Sequence, residues 1–388
     1  MAPIESLPQE LIEEILSHLS DLPASTHHSR HVERNRALKH CSLVHRSWTQ
    51  IARRLLAHEV WISPRDQMQS PPPRRILCEP RSSQRPTKLI LQRTMLMLDD
   101  DNDILFDDTD SRGVAERWQS VKFLKIVVAT TTFVSVACLP NLTRLHLAQV
   151  ELYTEVPGID SASVSLRHLA HLVLDDVEIR GNFESCRSVF SPNSMPRLVH
   201  LALDASHQEY LLRDSFAAIL PQLKTLALSS TRRSNATVGP AHLSPLHDFF
   251  GFERAPRIAE TFRLEHVSLH RVEQIEQGSL TTDSVLWLEN LRSLHIDPFP
   301  ASPRFTVDHD FALAGQLGMW QLLLRGRAQS RVSSRPEPGN TDQLKIVLYG
   351  WPPAITSFQP TFDVDVAGYV EWAETSPAAP FADFDGRW

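Results

Sequence analysis

The sequence predicts an α/β protein: short helices first, then a parallel sheet assembled from a repeated strand unit. Three observations carry this. Apolar residues recur at helical spacing through the first sixty residues, a Pro- and Arg-rich stretch follows, and a leucine triplet then returns at a near-constant interval over residues 121–296. With 388 residues and 42% apolar side chains, a sizeable core can be built. The balance of 39 Lys and Arg against 46 Asp and Glu leaves a net charge of -7, which argues against a nucleic-acid binder held by bulk positive charge. Cys41, Cys78, Cys138 and Cys186 are far apart and form no C-x-x-C pair, so neither a disulfide framework nor a zinc knuckle is expected. The opening residues lack a basic segment followed by an apolar one, and no apolar run reaches bilayer-spanning length. A soluble chain of a reducing compartment, cytoplasmic and/or nuclear and without a membrane partner, is the expectation.

The first element is a helix. Ser6, with Gln9 three positions on, has capping-box spacing, and Pro8 falls in the first turn, where a missing N–H costs nothing. Leu7, Leu11, Ile12, Ile15, Leu16 and Leu19 then repeat with helical period, opposite Glu10, Glu13, Glu14 and His18. A polar insert at 21–36 precedes a second amphipathic stretch through Leu38, Cys41, Val44, Trp48, Ile51, Ala52 and Leu55. Helices this short are marginal alone and need a surface to pack on. Residues 63–88 hold Pro71-Pro72-Pro73 among arginines and read as an extended connector.

The region 89–350 is governed by repetition. The unit L-x-x-L-x-L occurs at Leu142, Leu145, Leu147; Leu169, Leu172, Leu174; Leu198, Leu201, Leu203; Leu223, Leu226, Leu228; Leu264, Val267, Leu269; and Leu291, Leu294, Ile296. Successive starts lie 27, 29, 25, 41 and 27 residues apart, so the long interval is one period plus an insertion. Weaker copies are read at Val121, Leu124, Ile126 and at Leu344, Val347, Tyr349. The second and third leucines are two apart and share one side of a strand. One unit cannot bury that side, but units stacked edge to edge make a parallel sheet with a continuous leucine interior. Polar excursions are expected near 99–112, 230–255 and 325–342, and residues 351–388 as a cap or tail.

These triplets resemble the leucine-rich-repeat family, over roughly half the chain. The resemblance implies an irregular solenoid with a curved parallel sheet, strands on its concave side. The family's Asn or Cys, three residues after the third leucine, is replaced here by Val150, Val177, Ser206, Thr231, Val272 and Phe299. An ordinary leucine-rich α/β domain is the plainer alternative. The run Leu7-Pro8-Gln9-Glu10-Leu11, with Ile15 and Leu19 following, then Val44-His45-Arg46-Ser47-Trp48, resembles an F-box. It departs from the family in the long insert and in His45, where Cys is frequent. That resemblance implies docking onto the adaptor subunit of a cullin-based, SCF-type ubiquitin ligase through Leu7, Pro8, Leu11, Ile12, Ile15, Leu16, Val44 and Trp48. The competing reading is that these side chains only cap the first repeat.

Catalytic signatures are absent: no G-x-S-x-G, P-loop, H-E-x-x-H or G-x-G-x-x-G occurs. The chain is therefore expected to be no enzyme and to need no cofactor. Asp99, Asp101, Asp103 and Asp110 have partial calcium-loop spacing, but Ile104 stands where the sharp turn needs Gly. His27, His28 and His31 lie without Cys or carboxylate partners at a metal-ligand spacing.

In the repeat frame, Arg144, His171, His200, Thr225, His266 and Ser293 precede the second leucine and point away from the leucine side. His146, His270 and His295 follow at the next outward positions, and Asp175, Asp204 and Asp297 lie just beyond the third leucine. On the concave face implied by the repeats, Arg144, His146, His171, Asp175, His200, Asp204, His266, His270, His295 and Asp297 are the candidate substrate-binding residues. The plainer alternative is a solvated sheet face. If imidazolium forms help, affinity should vary between about pH 5 and 7.5. The combined expectation is a non-catalytic substrate receptor holding the adaptor and cullin scaffold at one end and an unknown protein substrate at the other. The alternative is a ligase-independent repeat scaffold.

Overall fold

The structure, a computed structural model, describes residues 8–20, 28–62, 86–92, 118–155, 164–204, 218–229, 263–272, 292–298, 344–349 and 368–373. The insertions expected at 99–112, 230–255 and 325–342, the partial calcium loop, His27, Leu7 and Cys78 lie outside them. The chain divides into two compact units, one of residues 1–185 with 194–196 and 384–388, the other of 186–193 and 197–383.

The first unit opens with three helices, α1 (Gln9–Ser20), α2 (His28–Val44) and α3 (Arg46–His58). Helix α1 begins at Gln9 with the Pro8 carbonyl accepting from the Ile12 amide at 3.2 Å, so the proline stands at the entry as expected. The supposed polar insert is shorter than the sequence suggested, because α2 already runs from His28. His45 ends α2 and caps α3: its backbone is extended, and its Nδ1 accepts from the Ser47 amide at 3.3 Å. An imidazole thus does the work of an Asn or Ser cap.

Strands β1 (Glu59–Ile62), β2 (Lys88–Gln92), β3 (Phe123–Thr132), β4 (Arg144–Tyr153) and β5 (His171–Asp175) follow in sequence and pair in that order, all parallel. The register aligns the repeat: Leu89, Leu124, Leu145 and Leu172 are neighbours, and so are Leu91, Ile126, Leu147 and Leu174. All eight are buried. Before several strands a tight turn buries two more apolar side chains. The amides of Val121, Leu142 and Leu169 donate to the carbonyls of Trp118, Leu139 and Leu166 at 3.0, 3.3 and 3.1 Å. This is the first leucine of the triplet at work, turning the chain into the strand while closing the end of the core.

Beyond the triplet the strands bend. Val128, Gln149 and Asp176 all have positive φ, 52°, 55° and 54°, at matching places one residue past the aligned ladder. Each acts as an inserted residue, so the strand resumes with its apolar side chains on the same side as before. Val150, Leu152 and Ile179 are accordingly buried, and a short strand β6 (Glu178–Arg180) pairs with the end of β4. The place where the repeat family keeps a polar ladder is here an apolar extension of the core, at Val150. Val128 is β-branched and left-handed, a conformation that packing on both sides must hold.

Short helices connect the strands, α4 (Phe133–Ala137) after β3 and α5 (Phe183–Val189) after β6. Just before α5, Gly181 has φ 147°, and a Cβ added there would lie 2.0 Å from Thr154 Oγ1. Thr154 is fully buried and committed, donating to the Arg180 carbonyl at 3.1 Å and sharing a 2.8 Å hydrogen bond with Ser185 Oγ. Gly181→Ala is therefore expected to destabilise the first unit by about 2–4 kcal/mol, from left-handed strain plus overpacking. A urea unfolding midpoint equal to that of the native chain would show that this turn yields freely.

The second unit carries β7 (His200–Asp204), β8 (Thr225–Ser229), β9 (His266–Val272), β10 (Ser293–Pro298), β11 (Leu344–Tyr349) and β12 (Gly368–Ala373), parallel and paired in that order. Leu201, Leu226, Val267 and Leu294 align, and the first three are buried. The weak copy at 344–349 is a correction: Ile346 pairs with Leu294 and Leu348 with Ile296. The frame thus runs one residue out of phase with Val347 and Tyr349, and a one-residue slip exchanges the two faces. Strand β12 falls in the stretch read as a cap or tail.

One backbone motif recurs in both units. The carbonyls of Thr87, Lys122 and Thr143, and those of Val199, Lys224 and Glu265, each accept from two successive amides at the start of the next strand. The twelve distances span 2.7–3.1 Å. The α/β class with a parallel sheet is therefore as the sequence predicts.

Candidate functional site

Two surfaces collect the sequence-predicted residues. The first is the helical module. Ile12, Leu16, Leu38, Ile51 and Ala52 form its buried core, with Cys41, Trp48, Leu55 and Leu56 packed against them. Ile12 and Leu16, expected to face a partner, are therefore spent internally. Trp48 is half-buried in the same cluster. Leu11 and Ile15, on the neighbouring stripe of α1, are 45% and 44% exposed, and Val44 and Leu43 at the end of α2 are 57% and 82% exposed. Pro8 is exposed too. Leu43 was not among the predicted residues, since an apolar side chain beside Val44 reads equally as core. The apolar arc of α1 is thus wider than its own module covers, and its outer edge stays in water. Glu13 and Arg54 pair across α1 and α3; the guanidinium beside it holds the Glu13 carboxyl below the usual range.

The module is also tied to the sheet. Arg34, buried in α2, lies 3.3 Å from Glu59 of β1 and donates to the Leu55 carbonyl, and Lys88 of β2 reaches Glu59 at 3.5 Å.

The second surface is the sheet face opposite the leucines. Lys88, Phe123, Arg144 and His171 occupy one aligned row in the first unit, with Ile90, Lys125, His146 and Val173 in the next. In the second unit His200, Thr225, His266 and Ser293 align, and so do Ala202, Ala227, Ser268 and His295. His266 Nδ1 and Ser293 Oγ are 2.7 Å apart. Asp204, Ser229, His270 and Asp297 form the following row, and Asp175 holds the corresponding place in β5. The register thus sets these residues at the positions alternating with the aligned leucines, and those whose side chains are described differ in exposure. His146 is only 8% exposed, and Val173, Ala202, Ala227, Thr225 and Ser268 are buried as well.

Burial, and then the charge of Lys125, push the His146 imidazole well below its ordinary value of 6.5; burial first, then the nearby Arg292, lowers His266 against the opposing pull of Glu265. Both shifts favour the neutral ring, which works against the imidazolium form on which a pH-dependent affinity at these two positions would depend. The sign of the stability effect follows. Below about pH 6.5 the unfolded chain protonates this histidine while the folded one does not, so stability falls with acidity until the lowered folded value is reached. His146→Gln, neutral at every pH, should make the decline of unfolding free energy from pH 6.5 to 5.5 shallower by up to about 1 kcal/mol. Identical slopes for native and variant chains in urea titrations at the two pH values would refute this.

Lys125 was missed because its repeat copy is weak; the outward place between Leu124 and Ile126 is the signal that finds it. Among the described residues no group of three or more His, Cys, Asp or Glu is placed to hold a metal ion, and no helix is long and apolar enough to cross a membrane. No protein-family model matches the chain, and no curated protein matches it.

Proposed function

We propose that the chain is a non-catalytic substrate receptor of an SCF-type ubiquitin ligase. The N-terminal helices hold the adaptor and through it the cullin scaffold, and the repeat face holds a protein substrate. The observation that carries this reading is the outer edge of the helical module: Leu11, Ile15, Leu43 and Val44 remain exposed around a core that is already closed by Ile12, Leu16, Leu38, Ile51 and Ala52. Exposed large apolar side chains of this kind suit an interface, and an apolar helix edge suits insertion into a groove. The F-box resemblance names the partner. The repeated junction carbonyls and the aligned leucines support an irregular leucine-rich-repeat solenoid as the architecture of the receptor. On this reading the chain breaks no bond: it raises the effective concentration of substrate lysines near a ubiquitin-carrying enzyme. Affinity purification of the full chain tests it. Recovery of adaptor and cullin supports the receptor; their absence from a folded, well-expressed chain retires it.

A second reading, a ligase-independent scaffold whose helices cap the sheet, is favoured by one observation, the Arg34–Glu59–Lys88 bridge between α2, β1 and β2. The two readings rest on different residues of the module. Glu59→Gln would leave the buried Arg34 guanidinium without its carboxylate, and a loss of about 2–4 kcal/mol is expected. A chain that unfolds at unchanged denaturant concentration would show that the bridge does not fasten the helices.

A further inference from the structure

We propose that Arg144, His146 and Lys125 form a site for the oxyanion of an acidic peptide segment in a protein partner. Arg144 and His146 lie two apart on β4 and so share its outward face, and Lys125 on β3 is the register partner of His146. Adjacent strands are about 4.8 Å apart, so the three residues start from neighbouring backbone positions on one face. His146 is 8% exposed, and its Nε2 is shut off from solvent without a hydrogen-bond partner among the described residues. Buried ring nitrogens in folded proteins are normally paired, so this one marks a place where an acceptor or donor is owed. Arg144 is half-exposed and forms no ion pair among the described residues; its guanidinium carries a fork of donors matched to a carboxylate.

The surrounding groups narrow the ligand. Lys88 is engaged by Glu59 and does not contribute. His171 neighbours Arg144 on β5; of the carboxylates on this face, Glu59 lies in the same row three strands away, where Arg34 and Lys88 engage it, and Asp175 lies farther along β5. Phe123 and Val173, beside Arg144 and His146 in the register, are half-buried and buried apolar walls. An acidic residue flanked by apolar ones fits such walls better than a naked ion does. The net charge of -7 disfavours a nucleic-acid backbone as the source of the anion. Burial and then the charge of Lys125 push the His146 ring toward its neutral form, and an oxyanion against it would oppose that push.

This deepens the receptor reading, on which it rests for the choice of this face as the client surface, by naming the client's chemistry. The test uses the full chain and a fluorescein-labelled hexaglutamate peptide, followed by anisotropy, with inorganic phosphate as competitor. Saturable binding is expected, weakened at least about tenfold by Arg144→Gln and by Lys125→Gln, since each removes a charge-assisted contact. Arg144→Lys should recover part of the loss, and Arg263→Gln, at an exposed arginine of the second unit, should change nothing. Unchanged melting temperatures of the Arg144 variants establish that folding is not what is read. The proposal is overturned by absence of peptide binding, by equal affinity of native chain and Arg144→Gln, or by binding of phosphate without the peptide. It is equally overturned if the peptide binds only after the seven aspartates between 99 and 110 are replaced by asparagine, which would assign the site to this chain's own acidic segment. Peptide binding by a chain that captures no adaptor would retire the ligase reading and leave the site; adaptor capture without peptide binding would retire the site alone.

Discussion

Replacing Leu147 by alanine is expected to lower the unfolding free energy by about 3–5 kcal/mol. Leu147 is fully buried and sits in register between Ile126 and Leu174, with Leu145 two residues before it on the same side of β4. Removing its isobutyl group leaves a void walled by strands that are hydrogen-bonded on both sides, so the backbone cannot close in to fill it. The same truncation at Leu43, which is 82% exposed, should cost less than about 0.5 kcal/mol. Chemical unfolding followed by circular dichroism separates the two. A Leu147→Ala loss below about 1 kcal/mol would mean that the aligned leucines do not share one interior.

Under the receptor reading, Leu11→Asp with Ile15→Asp is expected to abolish adaptor capture, on the order of a hundredfold or more in affinity, without lowering the melting temperature. Both side chains are nearly half exposed and lie outside the cluster that holds the three helices together. A carboxylate there meets water in the free chain and an apolar groove in the complex, where its desolvation is not repaid. Ile12→Asp with Leu16→Asp should do the opposite, unfolding the module itself, because those positions are closed off. The comparison matters because loss of capture by the second pair says nothing about an interface. Capture that survives the first pair in a folded chain would shift the module's role to capping the sheet.

Most of the fold was legible because two periodicities are hard to produce by accident. A spacing of two between aliphatic residues, returning at a near-constant interval, has one low-energy solution: strands side by side with that pair inward. The register Leu124, Leu145, Leu172 is what such a pattern demands. At β11 the run Leu344-Lys345-Ile346-Val347-Leu348-Tyr349 is aliphatic in both phases, so alternation cannot choose between them. It passed over β1, β2 and β12, whose single short runs gain meaning only from the neighbour they pair with. The candidate site was legible in parity but not in burial. His146 points away from the leucines as expected, yet what surrounds an outward side chain depends on residues far away in the chain.

From the amino-acid order alone came the α/β class, the leucine frame of the strands and the helical character of the first sixty residues, because each depends on contacts between near neighbours or between identical repeats. Only the folded chain decided that Ile12 and Leu16 close a core while Leu11 and Ile15 face water, and that His146 is hidden beside Lys125. Helical spacing sorts apolar from polar residues but is silent on which partner covers each part of a broad apolar arc, and burial is a property of the assembled surroundings.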